Sequence, residues 1–303
     1  MIKYLLVTLT LLICQVLEAQ PEVIPPPAGK IKILSWNIYM LPHFVAASSN
    51  KKERAEAIGK ALGLSDYDVV FFQEAFHPLA RRRILAQMQK SFPYSSGPAN
   101  RKQVSLKTNS GLWVFSKYPI VASRAIRFKT RYGVDALSRK GALLVELEVH
   151  GERIQVAGTH LQNCGPKKLK QLQCIEFFDG LLKPLGREGV PQVICGDFNI
   201  DRYTMESDYQ CMLDNLDARD SNPSHLQYTY DRLNNDLRNE TGDRKDLIDY
   251  ILIRSNGSVV KASNSVVRMK GLYNFKIADL SDHYSLQAEV SFSSAGIPSA
   301  SIK

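Results

Sequence analysis

Long apolar runs are missing from this chain of 303 residues. A helix that crosses a bilayer needs roughly 20 apolar residues, and the uncharged N-terminal run, Tyr4 to Ile13, is too short for that. Cysteine is also scarce: there are five, none in a Cys-x-x-Cys pair and none beside a histidine cluster. That excludes a thiolate zinc site. No repeat or long low-complexity tract is found, which argues against a solenoid or a disordered chain. A negative excess is absent too, the formal net charge being +9.

What is present begins with an export pattern. Lys3 precedes the apolar run, and the small residue Ala19 stands before Gln20-Pro21, the order of a cleavable secretory signal. Cys14 follows the bulky Ile13, which argues against lipid attachment there. Removing residues 1–19 removes Lys3 and Glu18, one charge of each sign, so the mature chain keeps its +9. Such a balance suits an anionic partner, either nucleic acid or lipid headgroups. Residues 20–29 read as a proline-rich linker, 30–292 as one folded domain and 293–303 as a polar tail. Cys164, Cys174, Cys195 and Cys211 remain in an oxidising compartment and allow three pairings. Cys164 with Cys174 is the favoured one, because Cys195 sits in a buried-strand run and stays reduced.

Short β-branched and apolar runs recur at Ile31–Trp36, Val69–Gln73, Gly111–Phe115, Ala142–Val149, Arg153–Thr159, Gln192–Cys195, Leu247–Ile253 and Tyr284–Val290. They predict strands. Helical spacing at Lys51–Leu62 and Leu79–Lys90 makes the architecture mixed α/β. The polar turn His150-Gly151-Glu152-Arg153 predicts a hairpin.

Strand after strand ends in a carboxylate, amide or imidazole: Asn37, Gln73-Glu74, His160, Asp197-Phe198-Asn199. Asp249 lies inside an apolar run, and Ser281-Asp282-His283 precedes the last strand. Singly, such residues cap turns. An acid flanked by apolar strand residues, as Asp249 is, needs a partner. Together, Glu74 and Asn37 offer the hard oxygen ligands that Mg²⁺ prefers. His160 and His283, with an acid to orient one of them, suit acid–base chemistry near neutral pH.

The ordered blocks Trp36-Asn37, Gln73-Glu74, Gly158-Thr159-His160, Gly196-Asp197-Phe198-Asn199, Ile248-Asp249-Tyr250 and Ser281-Asp282-His283 resemble the endonuclease/exonuclease/phosphatase (DNase I-like) superfamily. Within it, Asn37-Ile38-Tyr39-Met40-Leu41, Gly158 to Gln162 and Ser116 to Ile120 are similar to secreted bacterial neutral sphingomyelinases of the phospholipase C type. The resemblance implies a four-layer sandwich of two packed mixed β-sheets flanked by helices. It implies Mg²⁺, with Mn²⁺ or Co²⁺ as substitutes, held by Glu74 with Asn37 and Asp282. Asp197 and Asn199 would position water and phosphoryl group, and His283 would take the water's proton with Asp249 or Asp282 fixing its tautomer. His160 would stabilise the phosphoryl oxygens or protonate the leaving alkoxide. The implied partner is a membrane bearing sphingomyelin, met by a monomer.

Two departures bear on this. The stretch before Ser281 is short and offers Leu272, Tyr273 and Phe275 to a membrane or to the core, where relatives carry an aromatic-tipped hairpin. Cys164 fits the family's cysteine pairing, but the region of Gly133 offers no second cysteine. A nuclease of the same superfamily is the alternative, resting on Arg81-Arg82-Arg83 and Lys167-Lys168-Leu169-Lys170 as phosphate tracks.

Overall fold

The computed structural model describes residues 29–42, 49–101, 108–221, 228–238 and 242–293. The expected export signal, nearly all of the linker and nearly all of the tail lie outside them. Two six-stranded sheets dominate. The first runs in the order Val259–Val267, Ser285–Ser293, Gly29–Met40, Val69–Ala75, Trp113–Ser116, Tyr94–Ser96. The second runs Ile120–Arg127, Gly141–Val149, Glu152–His160, Gln192–Asp197, Asp249–Arg254, Arg219–Asp220.

Alternation along the strands builds three apolar layers. Ile31 and Ile33 point inward to meet Val156, Val193 and Ile251 of the other sheet. On the outer face of the first sheet, Leu34, Trp36 and Phe72 pack on Ile58 and Leu62 of helix Lys51–Gly63 and on Ile84 of helix Pro78–Met88. Outside the second sheet, Leu144, Ile194 and Leu252 pack on helices Leu169–Phe177 and Glu206–Leu216. The expected sandwich, helix on sheet on sheet on helix, is therefore observed.

Each sheet contains one parallel pair, Gly29–Met40 with Val69–Ala75 and Glu152–His160 with Gln192–Asp197. Parallel neighbours deliver their C-terminal ends to the same rim. Asp249–Arg254 and Ser285–Ser293 are antiparallel to those pairs, so they start where the others stop. Register places Asn37 opposite Gln73, and His160 and Asp249 on either side of Asp197. The polar strand ends that look scattered in sequence thus meet at one edge.

One close contact between the sheets requires an absent side chain. A Cβ on buried Gly158 would lie 2.4 Å from the Phe71 ring of the facing sheet. Gly158→Ala is therefore expected to destabilise the fold by about 1–3 kcal/mol through overpacking, read as a lower urea midpoint with an unchanged m-value.

Three expectations are corrected. The hairpin turn is tighter than four residues: Val149 pairs with Glu152, and His150 and Gly151 both take positive φ, 51° and 89°. That is the primed two-residue turn that matches strand twist. All four described cysteines are free, so Cys164 does not pair with Cys174, which is buried in the outer core while Cys164 is exposed. Gln162 makes the local connection instead, its Oε1 accepting from the Tyr132 N–H at 3.0 Å and its Nε2 donating to the Tyr132 carbonyl. The stretch before Ser281, finally, is a hairpin, Lys270–Tyr273 paired with Lys276–Asp279.

Candidate active site

Asp197 ends its strand at the centre of the rim. Its Oδ2 accepts from Asn37 Nδ2 at 3.1 Å, a bond that joins the two sheets. The same oxygen lies 3.5 Å from His160 Nε2 and 3.8 Å from His283 Nε2. Its Oδ1 accepts from the backbone N–H of Asn199 at 2.9 Å. Asn199, at φ 53°, turns the chain so that its amide donates to the Leu161 carbonyl at 3.1 Å.

Between the two candidate partners for His283, the geometry selects Asp249. Asp249 Oδ2 lies 2.9 Å from His283 Nδ1, and Asp249 does not line the cleft. Its own N–H donates to Thr229 Oγ1 at 3.2 Å. The His283 carbonyl accepts from Trp36 Nε1 at 2.9 Å, and Ser281 Oγ donates to the Asn37 carbonyl at 2.6 Å. Asp282 faces another way and takes Arg238 on Oδ2, at 3.0 Å from Nε and 2.7 Å from Nη2.

Glu74 lies in the cleft wall with a left-handed backbone, φ 55°. A non-glycine residue held there stores about 1–3 kcal/mol, a pattern that gathers at functional sites. Its Oε2 is closed from solvent and has no hydrogen-bond donor among the described residues. Burial, then Asp282, pushes its carboxyl up to about 7. Asp197 rises to about 6 through burial and its neighbour Asp249. A buried carboxylate oxygen without a donor, crowded by further acids, fits a cation, and an all-oxygen set suits Mg²⁺.

The two histidines are held in opposite states. For His160, burial, then Lys140 and His283, keeps the ring well below its ordinary range, so it is neutral at pH 7. For His283, burial acts downward, but Asp249, Asp197 and Asp282 outweigh it and hold the ring well above its ordinary range. Environments that drive paired titratable groups apart are those that separate acid from base roles.

The cleft, about 170 Å³, is lined by Glu74, His160, Asp197, Asn199, Asp282 and His283 among others. Asn37 and Asp249 sit behind this surface, both 2% exposed. Sequence reasoning overlooked Tyr39, Lys140 and Arg238. Lys140 is buried and donates from Nζ to the Leu161 carbonyl at 2.8 Å, placing a fixed cation beside His160. A lysine opening an apolar strand was the available signal. Arg238 stacks on the Tyr39 ring, 4.9 Å from its centroid, and carries no periodic signal at all.

Other expected residues lie elsewhere. In the hairpin, Leu272, Phe275 and Ile277 are 70%, 104% and 71% exposed. Tyr273 does not join them: it is 5% exposed and its hydroxyl donates to the Asp279 carbonyl at 2.9 Å. Adjacent strand residues face opposite ways, so exposing Leu272 buries Tyr273. Arg81 does not form an open phosphate track, since its Nη1 donates to the carbonyls of Ala75 and Phe76 at 2.8 and 2.5 Å.

A profile of the Endonuclease/Exonuclease/phosphatase family matches residues 34–283. A phospholipase C of Staphylococcus aureus is 28% identical over 287 residues, spanning 85% of this chain and 86% of that protein. A sphingomyelinase C of Bacillus cereus is 26% identical over 299 residues, spanning 86% of this chain and 89% of that protein. A mutant beta toxin of Staphylococcus aureus solved with bound magnesium ions has a TM-score of 0.76 at 27% identity, covering 86% of this chain and 99% of that one.

Proposed function

The chain belongs to the endonuclease/exonuclease/phosphatase family, and from that premise we propose that it is an exported Mg²⁺-dependent phosphodiesterase hydrolysing sphingomyelin to ceramide and phosphocholine. The observation that carries this reading is the meeting of Glu74, His160, Asp197 and the Asp282-His283 pair around one cleft, drawn from four separate parts of the sequence. The similar proteins bear the names sphingomyelinase C and phospholipase C. Glu74 would hold the ion through its undonated Oε2, with Asn37 and Asp282 beside it. Bound there, Mg²⁺, or Mn²⁺ or Co²⁺ in its place, would neutralise phosphate charge and offset the carboxylate surplus that holds His283 protonated.

His283, fixed by Asp249 through Nδ1, presents Nε2 to the cleft and takes the proton of the attacking water. Asp197 and Asn199 place that water and the phosphoryl group. His160, neutral, donates a hydrogen bond to a phosphoryl oxygen, and Lys140 adds positive charge on the same side. As the water oxygen bonds to phosphorus the P–O bond to ceramide breaks, the departing alkoxide takes a proton from solvent, and His283 then releases its own to solvent. Residues 1–19 serve as the cleaved export signal, which N-terminal sequencing of exported protein starting at Gln20 would support.

The deciding assay sets phosphocholine release from sphingomyelin vesicles beside nicking of supercoiled plasmid, each with Mg²⁺ and with chelator. Lipid cleavage that chelator abolishes is expected, and plasmid nicking without phosphocholine release would overturn the reading. Membrane engagement falls to the hairpin tip. Replacing Phe275 with Ser removes a ring whose insertion is worth roughly 1.5–3 kcal/mol. Hydrolysis of vesicle substrate should fall by about 10–100-fold, while a water-soluble choline phosphodiester is cut at the original rate.

A further inference from the structure

The strand Glu152–His160 continues through Leu161 and Gln162 to Asn163, which lines the cleft, and then into an exposed turn before helix Leu169–Phe177. This segment packs against the connection between strands Ile120–Arg127 and Gly141–Val149. Glu176 of the helix accepts from the backbone N–H groups of Lys129 and Thr130 at 2.5 and 2.9 Å. Gln173 Nε2 donates to the Thr130 carbonyl at 3.0 Å, and a Cβ on Gly165 would lie 3.4 Å from the Tyr132 side chain. With the Gln162–Tyr132 bonds, these contacts make the two segments one face beside the cleft.

That face exposes Lys129, Arg131, Lys167 and Lys168, together with Tyr132 and Leu172 at 54% and 46%. Glu176, the acid at the junction, has both oxygens engaged by backbone N–H groups instead of by these cations. We propose that this face binds the headgroups of anionic phospholipids and seats the cleft on negatively charged membrane. The proposal rests on the reading of the cleft as a lipid phosphodiesterase. Cations near an anionic leaflet attract it within a Debye length, and exposed Tyr and Leu settle at the same interface. A nucleic-acid backbone meets the cations equally well but offers nothing to Leu172 or to Ile175, which is 40% exposed.

The test measures co-sedimentation of the full chain with phosphatidylcholine vesicles, with and without phosphatidylserine, lacking sphingomyelin. Each cation near such a surface strengthens binding roughly five-fold. The double variant Lys167→Ala/Lys168→Ala is therefore expected to partition about 30-fold more weakly onto serine-containing vesicles, with a shallower salt dependence. It should hydrolyse the soluble choline phosphodiester at the unaltered rate. Equal partitioning of the parent chain onto both vesicle types, unchanged partitioning of the double variant, or tighter binding of the parent chain to duplex DNA than to serine-containing vesicles would each overturn the proposal. Failure of the functional reading is seen separately: a chain that binds serine-containing vesicles through these lysines yet leaves every phosphodiester intact keeps the face and loses the enzyme.

Discussion

His283→Asn is expected to reduce sphingomyelin turnover by about 10²–10⁴-fold, the range of a positioned general base, without loss of fold or vesicle binding. The amide keeps a polar group near Asp249 but cannot take a proton from water at neutral pH. Asp249→Asn should have an effect of similar size by a different route. Its 2.9 Å contact fixes the proton on Nδ1 and leaves Nε2 for the cleft. An amide there can favour the opposite tautomer, the kind of change that costs a buried triad about 10⁴ in rate. Comparing kcat with KM for both variants tests the assignment, since loss of substrate binding alone would raise KM and spare kcat. Unchanged turnover in His283→Asn would remove that residue from the mechanism.

Glu74→Gln should abolish the magnesium dependence along with the activity. The expected loss is about 10³-fold or more, because an ion that neutralises phosphate charge contributes several kcal/mol to the transition state. A second readout does not depend on turnover. In chelator, the Glu74 carboxyl, pushed up to about 7 by burial and Asp282, resists ionisation in the folded chain. A carboxyl whose folded pKa is raised favours the fold least when ionised, so wild-type stability should decline as pH rises from the unfolded value toward and through 7. Glu74→Gln carries no such charge and should melt higher than the parent at pH 8 in chelator. Adding Mg²⁺ should raise the melting temperature of the parent and leave the variant unmoved, as expected for a ligand that binds only the native site. A variant that still gains stability from Mg²⁺ would place the ion elsewhere.

Much of this architecture could be read from the sequence because the central strands are buried on both faces. Ile31–Trp36, Val69–Gln73 and Gln192–Cys195 are nearly pure apolar runs, so the polar residue that ends each one stands out. The two long strands left unread are Ile120–Arg127 and Val259–Val267, and both lie at a sheet edge. Edge strands face solvent and carry charge to discourage further pairing, which breaks the apolar signal. Arg124, Arg127 and Lys261 do this here.

The same distinction divides the site. Residues at strand ends were legible, whereas Arg238 is delivered by a loop whose shape comes from side-chain bonds. Asp231 accepts from the N–H groups of Leu233 and Asn234, both at 3.1 Å, and Asn235 donates to the Ser281 carbonyl at 2.9 Å. No period in the sequence announces such a loop. Tyr273 illustrates the remaining limit: which of two neighbouring apolar residues faces water depends on hairpin register, and Leu272↔Ile277 pairing decides it.

The pairing of Gly29 with Phe292 brings the first and last described strands side by side. From Gly29 to Asn37 the extended chain covers roughly 26 Å at about 3.3 Å per residue, so this junction lies at the pole opposite the catalytic rim. Affinity handles, surface tethers or a short bridge for circular permutation attached there would leave the opening clear for approach to a bilayer. Immobilised enzyme oriented from that pole should retain access to vesicles.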